Sequence, residues 1–402
     1  MPISKKIFSP ENWLERATSH NVEEIFSKSE LLSYLKRKKR IRIKFGVDVT
    51  SPLIHIGNAV NLWKMREFQE QGHKVIFLIG DFTSRIGDPT GKSKARPMRT
   101  PEEIEQDAQT YIEQVTKILL DAPDVFEVRR NSEWYDRMKL HEFLQLCTHL
   151  THARLIQRDM FQERIKKNNE IYMHEILYPI LQGYDSYMLK SDLTIIGSDQ
   201  LFNELLGRHF QSLYGQDPQV IMTTVITPGL DGKEKQSKSL GNFIAITDSP
   251  EDKFGKIMSL LDALVITYYR VYTFVDPHQI DVYEQQLKKG TNPRDVKIQL
   301  AWDLVALYHG DAVANKTKDR FIKLFSKKET SEDIPNAFAQ NKEPIIDFLV
   351  RTKLAASKSS ARRLIKNGAV ESDGNKVQNI EETVKSGILR VGKKTFVRIV
   401  VQ

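Results

Sequence analysis

The chain of 402 residues reads as an α/β protein: an open, mainly parallel sheet, then a helical region, then a small α+β domain. Three observations predict this. Strand-like and helix-like segments alternate in β-α-β order between Ile41 and Val225; Glu251–Leu324 is mostly of helical period; and a polar, proline-bearing stretch sets off a last, basic block.

Ile41–Val47 alternates apolar and basic residues and then turns apolar, as a strand does. Gly46 and Asp48–Pro52 break it into a loop. Ile56, Ala59, Val60 and Trp63 then recur at helical spacing, in a helix expected over Ile56–Gln71 and stopped at Gly72. Val75–Ile79 is an apolar run of strand length, which completes a β-α-β unit with a right-handed crossover. Leu193–Ile196, Gln200–Leu213 and Val220–Val225 repeat the order strand, helix, strand. Thr100-Pro101-Glu102-Glu103 opens another helix, Thr100 as cap, Pro101 in the first turn and Glu103 closing a capping box. Ser326–Pro344 reads as a linker and Ile345–Gln402 as a separate small domain rich in lysine and arginine. The expected boundaries are 1–245 for the α/β domain, with an inserted helical segment at about 120–180, then 246–325 helical, 326–344 linker and 345–402 terminal domain.

Composition excludes several classes. Apolar residues make up 40% and charged residues 28%, as in ordinary globular proteins. No run approaches the roughly 18 apolar residues of a membrane helix, so no membrane association is expected. Met1-Pro2-Ile3-Ser4-Lys5-Lys6 lacks the apolar core of a secretory signal. Cys147 is the single cysteine, which rules out an internal disulfide and a cysteine-based zinc site and fits a reducing, cytoplasmic setting. A net charge of +8 suits an anionic partner, nucleic acid being the commonest, and equally suits a merely basic soluble protein.

An open α/β sheet binds its ligand at the carboxyl ends of its strands, and the motifs fall in those loops. His55-Ile56-Gly57-Asn58 opens the first helix, where N–H groups and the dipole favour phosphate; alone, it equally describes a capping loop. Lys235-Gln236-Ser237-Lys238-Ser239 follows the Val220 strand among Gly229, Gly232 and Gly241, and its lysines suit charge moving onto a leaving pyrophosphate; alone, it is also a solvated loop. Gly87-Asp88-Pro89-Thr90-Gly91-Lys92-Ser93 fails as a P-loop because the spacing requires glycine where Ile86 stands. Tyr178, Gln182 and Asp185 share one helix face, either lining a site or lying on a surface. Gly197-Ser198-Asp199-Gln200 ends a strand, with Asp199 as a helix cap or a ribose ligand. Trp13, Trp63, Trp134 and Trp302 read as core or interface aromatics.

Taken together, the His-x-Gly-Asn loop, the Lys-x-Ser-Lys-Ser loop, Gly80-Asp81-Phe82-Thr83, Gly87–Lys92, Tyr178–Asp185 and Gly197–Gln200 resemble the tyrosyl branch of the class I aminoacyl-tRNA synthetases. Ser357–Ile365, Gly368-Ala369-Val370 and Asp373–Val377 resemble the small RNA-binding module that ends many bacterial members. The resemblance implies a Rossmann-like catalytic domain, a helical anticodon-binding domain and an RNA-binding domain. It implies L-tyrosine, ATP and tRNA(Tyr) as substrates, Mg2+ carried with ATP, no protein-bound metal, and a homodimer formed through the inserted segment. It further implies that Asp185 accepts from the tyrosine hydroxyl while Tyr178, Gln182 and Asp88 hold the ammonium. Gly46, Asp48, Gly57, Gly197, Asp199, Gln200 and Lys238 would contact ATP. His55, Asn58, Lys235, Lys238, Lys92 and Arg96 would act on the phosphates. Asp262 would read the anticodon, and Arg362, Arg363 and Lys366 would meet tRNA phosphates. Three departures stand out: Asn58 occupies a place usually held by histidine, Gln236 one usually held by methionine, and Val49 one usually held by proline. A tryptophanyl enzyme, or an RNA-binding protein that keeps the fold without catalysis, would share much of this pattern.

Overall fold

The computed structural model describes residues 13–49, 53–87, 100–237, 240–326, 336–340, 343–377, 379–392 and 395–401. The chain divides into two compact units, Met1–Lys318 and Asp319–Gln402.

The first unit is built on a six-stranded sheet of β1 (Val22–Phe26), β2 (Arg42–Val47), β3 (Lys74–Ile79), β4 (Phe126–Arg130), β5 (Leu193–Gly197) and β6 (Val220–Thr224), in the order β1-β6-β5-β2-β3-β4. All neighbours are parallel except β1, which is antiparallel to β6. From β2 the chain steps outward to β3 and β4; from β5 it steps the other way to β6. The reversal lies between β2 and β5, and an open sheet leaves its ligand crevice at that point. The register puts Val47 opposite Ile79, Ile79 opposite Arg130, and Gly197 opposite Thr224, so the loops after these strands leave the sheet at one rim.

The sequence explains most of these elements. The helix expected after β2 runs over Ile56–Gln69, and Gly72, at φ 87°, supplies the left-handed turn that ends it. Five successive residues of β3 are buried, which is why it reads as an unbroken apolar run. The Thr100 capping box is formed: Thr100 Oγ1 accepts from the Glu103 N–H at 3.3 Å, and a Glu103 carboxylate oxygen accepts from the Thr100 N–H at 3.1 Å. The same pairing of a polar cap with proline opens Pro250–Met258, Pro277–Lys288 and Pro293–His309, capped by Ser249, Asp276 and Asn292. With Val265–Tyr272 and Asp311–Ser326 they make up the predicted helical region. The short helices Leu140–Cys147, His152–Ile156 and Asp159–Lys166 seat Leu146, Leu155 and Phe161 against Ile176, Ile180, Leu206 and Phe210. β4 lies within the range read as an insertion but belongs to the main sheet, so the insertion starts after Arg130.

The second unit holds β7 (Asn336–Ala339), β8 (Val370–Ser372), β9 (Asn375–Lys376), β10 (Gly387–Val391) and β11 (Thr395–Val401), ordered β7-β11-β10-β8-β9. The helices Ile345–Arg351 and Lys358–Lys366 bury Phe348, Leu349, Ala361 and Ile365 against Val370, Leu389 and Ile399. The linker reading of Ser326–Pro344 is corrected at Asn336–Ala339, which pairs in parallel with β11. A short edge strand takes its stability from its neighbour and shows little apolar pattern of its own.

Candidate functional site

A cavity of about 350 Å³ opens at the rim where β2 and β5 diverge. Of the predicted residues it is lined by Gly46, Asp48, His55, Gly57, Asn58, Tyr178, Gln182, Asp185, Gly197, Asp199, Gln200 and Lys235. The switch between β2 and β5 therefore gathers segments far apart in sequence.

One wall is the helix Met173–Leu189, which presents Tyr178, Gln182 and Asp185 to the cavity from one face. Asp185 is 3% exposed. Trp134 Nε1 donates to its Oδ1 at 3.0 Å and Asn131 Nδ2 to its Oδ2 at 3.4 Å. Burial pushes this carboxyl up to about 7, against the pull of the Lys44 charge and the neighbouring donors. It is thus an acceptor at the cavity wall, held by donors from Asn131, Trp134 and Tyr135 that no local pattern connects to it. The Tyr178 hydroxyl donates to Asp48 Oδ2 at 3.0 Å and the Thr83 hydroxyl to Asp48 Oδ1 at 2.7 Å. Gly80 makes room for this meeting, because a Cβ there would lie 2.5 Å from Asp48 Oδ1.

Beneath that wall lies a buried ion pair. Lys44 Nζ stands 2.7 Å from Glu204 Oε2 and donates to Ser186 Oγ at 2.7 Å. Both partners are 2% exposed. Glu204 also accepts from Gln182 Nε2 at 3.0 Å and Gln219 Nε2 at 2.7 Å, and Asn203 Nδ2 donates to Gln182 Oε1 at 2.7 Å. A buried pair is stable only when its remaining hydrogen-bonding capacity is satisfied, and this network satisfies much of it. No role was legible for Lys44 or Glu204 in the sequence, because the two members of the pair lie 160 positions apart along the chain.

The opposite wall carries both phosphate-directed motifs. His55 caps the Ile56 helix: its Nδ1 accepts the Asn58 N–H at 3.3 Å, so the neutral ring carries its proton on Nε2. Gly57 and Asn58 reach the cavity from the first turn, where the dipole favours an anion. The segment after the lysine loop is strapped to this motif: the Ile56 N–H donates to Ile244 O at 2.9 Å and the Ile246 N–H to Ile54 O at 3.0 Å. Lys235 Nζ lies 3.1 Å from Asp199 Oδ2. Asp199 lies inside the turn Ser198–Gln200, whose cap position is Gly197, and Gln200 holds the cap position of the Leu201 helix, so Asp199 does not stand where the sequence placed a cap.

Asp88, Lys92, Arg96 and Lys238 lie outside the described residues. Asp262 is away from the cavity and ion-paired with Lys297. Arg362, Arg363 and Lys366 are exposed on the Lys358–Lys366 helix of the second unit.

Known proteins resemble this chain over nearly its whole length. Residues 36–326 match the family model of tRNA synthetases class I (W and Y), and residues 327–399 match that of the tyrosine--tRNA ligase SYY-like C-terminal domain. The tyrosine--tRNA ligase of Thermotoga maritima is 46% identical over 383 residues, covering 94% of this chain and 95% of that protein. That of Mannheimia succiniciproducens is 40% identical over 383 residues, covering 95% and 96%. A C-terminally truncated mitochondrial tyrosyl-tRNA synthetase from Aspergillus nidulans superposes with a TM-score of 0.63 at 21% identity, covering 78% of this chain and 93% of that one, a likeness of fold.

Proposed function

The chain belongs to the class I tyrosyl-tRNA synthetases, and from that membership we infer how its own residues divide the work. The reaction has two steps. The carboxylate of L-tyrosine attacks the α-phosphorus of ATP, giving tyrosyl-adenylate and pyrophosphate; tyrosine then passes to the 3′-terminal adenosine of tRNA(Tyr). The amino acid brings its own nucleophile, so the protein supplies positioning and charge stabilisation.

Asp185 accepts the phenolic hydroxyl, while Tyr178 and Gln182 hold the ammonium with Asp88. The Gly46, Gly57 and Gly197 backbones, with Asp48, Asp199, Gln200 and Lys238, flank the nucleotide. His55 and Asn58 donate to the α-phosphate, and Lys235, Lys238, Lys92 and Arg96 meet the charge that grows on pyrophosphate. Asp185 carries this reading: a buried acceptor at the cavity wall, braced by Trp134, suits a substrate that ends in a hydroxyl. ATP would be bound as its magnesium complex, in which the ion would supply part of the neutralisation of the phosphate charge. Asp48, Asp185, Asp199 and Glu204 already have donor or cation partners, which fits a metal held by the nucleotide better than one held by a carboxylate cage.

Asp262 reads the anticodon, and Arg362, Arg363 and Lys366 contact tRNA phosphates. A second copy covers the apolar surface of Leu140, Leu144, Tyr172 and Met173, which are 74%, 55%, 46% and 67% exposed. A cytoplasmic setting suits the substrates, and among the described residues no helix is long and apolar enough to cross a membrane.

ATP–pyrophosphate exchange with tyrosine, phenylalanine or tryptophan tests the reading. Exchange should depend on tyrosine alone. Tryptophan-dependent exchange, or none with any of the three, would overturn it, the second in favour of an RNA-binding protein without catalysis.

A further inference from the structure

Gln236 stands in the middle of the lysine loop, where the resembling enzymes usually carry methionine, yet its side chain is 6% exposed, packed at the inner edge of the cavity. Its Nε2 donates to the Tyr272 hydroxyl at 2.7 Å, and its Oε1 accepts from the Ile244 N–H at 3.5 Å. The Tyr272 hydroxyl also shares a hydrogen bond with Thr227. Four residues earlier on the same helix, Val265–Tyr272, the Tyr268 hydroxyl donates to Pro228 O at 3.0 Å. Pro228 in turn pairs with Lys235 across an isolated antiparallel bridge.

Residues four apart share a helix face, so Tyr268 and Tyr272 reach the loop from one side. One hydroxyl holds Pro228, the residue opposite Lys235, and the other holds the residue after Lys235. The helix is itself tied back to the sheet domain, where Asn21 Nδ2 donates to Val271 O at 2.8 Å. Burial pushes the Tyr272 phenol up to about 12, so the hydroxyl stays neutral and protonated at physiological pH. A methionine side chain would fill the space of Gln236 but could not donate to the phenol oxygen.

We propose that Gln236 and Tyr272 act as one positioning unit that fixes the Lys235 backbone against the nucleotide site. The inference rests on the tyrosyl-adenylation reading. Lys235 matters most when charge moves onto pyrophosphate, whereas tyrosine is held at the Asp185 wall. Loosening the unit should therefore slow the chemical step and spare tyrosine binding.

The test uses the full-length enzyme with Gln236→Met, Tyr272→Phe and the double variant. Tyrosine affinity is measured at equilibrium, exchange kcat at saturating substrates and folding by thermal unfolding. Each single change should lower kcat about three- to tenfold, the range expected for one neutral hydrogen bond. Tyrosine affinity should stay within about twofold, and the double variant should match the worse single variant, because both remove the same bond. Unchanged kcat in both single variants, effects that multiply in the double variant, or tyrosine affinity lost in step with kcat would each overturn the unit. Gln236→Met nearly conserves volume and Tyr272→Phe keeps the ring, so if one variant unfolds the other still decides. A parent enzyme that shows no tyrosine-dependent exchange would sink the adenylation reading instead.

Discussion

Burial raises the Asp185 carboxyl to about 7, far above the ordinary carboxylate value of 3.8, and with the proposed role of Asp185 as acceptor of the tyrosine hydroxyl this would tie substrate recognition to pH. The neutral form prevails below that value and the ionised acceptor above it. Tyrosine affinity should therefore rise as pH climbs from about 6 to about 8, and Asp185→Asn should flatten the profile. Equilibrium binding across that range decides it; a flat profile in the parent would remove the carboxylate from the recognition step. The stability linkage runs the opposite way. The folded state binds this proton more tightly than the unfolded one, so the group's contribution is full below the ordinary carboxylate range and lost as pH rises through about 7. Asp185→Ala should lower the preference for tyrosine over phenylalanine by about tenfold or more, because a hydrogen bond to a charged group is worth about 1.5–3 kcal/mol. An unchanged preference would place the hydroxyl elsewhere. Asn58 is the other informative residue. If its amide donates to the α-phosphate, Asn58→His should keep activation within about a few-fold, while Asn58→Ala should lose on the order of 2–4 kcal/mol of transition-state stabilisation. Pre-steady-state adenylate formation measures both, and a silent Asn58→Ala would end its assigned role.

The Lys44–Glu204 pair joins β2 to the Met173 and Leu201 helices and so holds the pocket wall to the sheet. Lys44→Met should cost about 3–5 kcal/mol of stability, because Glu204 would stay buried without its ammonium partner. Adding Glu204→Gln should restore part of that loss. Urea denaturation measures both, and a loss under about 1 kcal/mol for Lys44→Met would show that water or a rearranged partner replaces the pair. The same elements mark what local sequence can reveal. β2, β3, the Ile56 helix and the proline-capped helices were legible, because periodicity, capping and proline geometry act within a few residues. β4 and β7 were not, since a short edge strand without a clear alternation is recruited by the neighbour it meets. His55, Tyr178 and Asp185 were legible through the motifs that contain them. Trp134, Asn131, Lys44 and Glu204 were missed, because their contribution is contact across the fold. Trp134 packs in the core, as its residue type predicts, and its indole N–H also donates to Asp185.

At the scale of the molecule, the proposed division of labour has adenylate formation use only tyrosine, ATP and the α/β core, whereas transfer would use tRNA held along an extended surface. The Asp319–Gln402 unit has its own sheet and apolar core, and its Lys358–Lys366 helix exposes Arg362, Arg363 and Lys366. Contacts of these cations with phosphates would release counterions, so charging by the intact enzyme should weaken steeply with salt while exchange does not. Because β7 belongs to the terminal sheet, the informative truncation ends at Ser326, before that strand. The most direct measurement compares pyrophosphate exchange with tRNA(Tyr) charging in the full-length and truncated chains, at low and moderate salt. Full tyrosine-dependent exchange with sharply weakened, less salt-sensitive charging is the predicted result; equal loss of both reactions, or of neither, would contradict it.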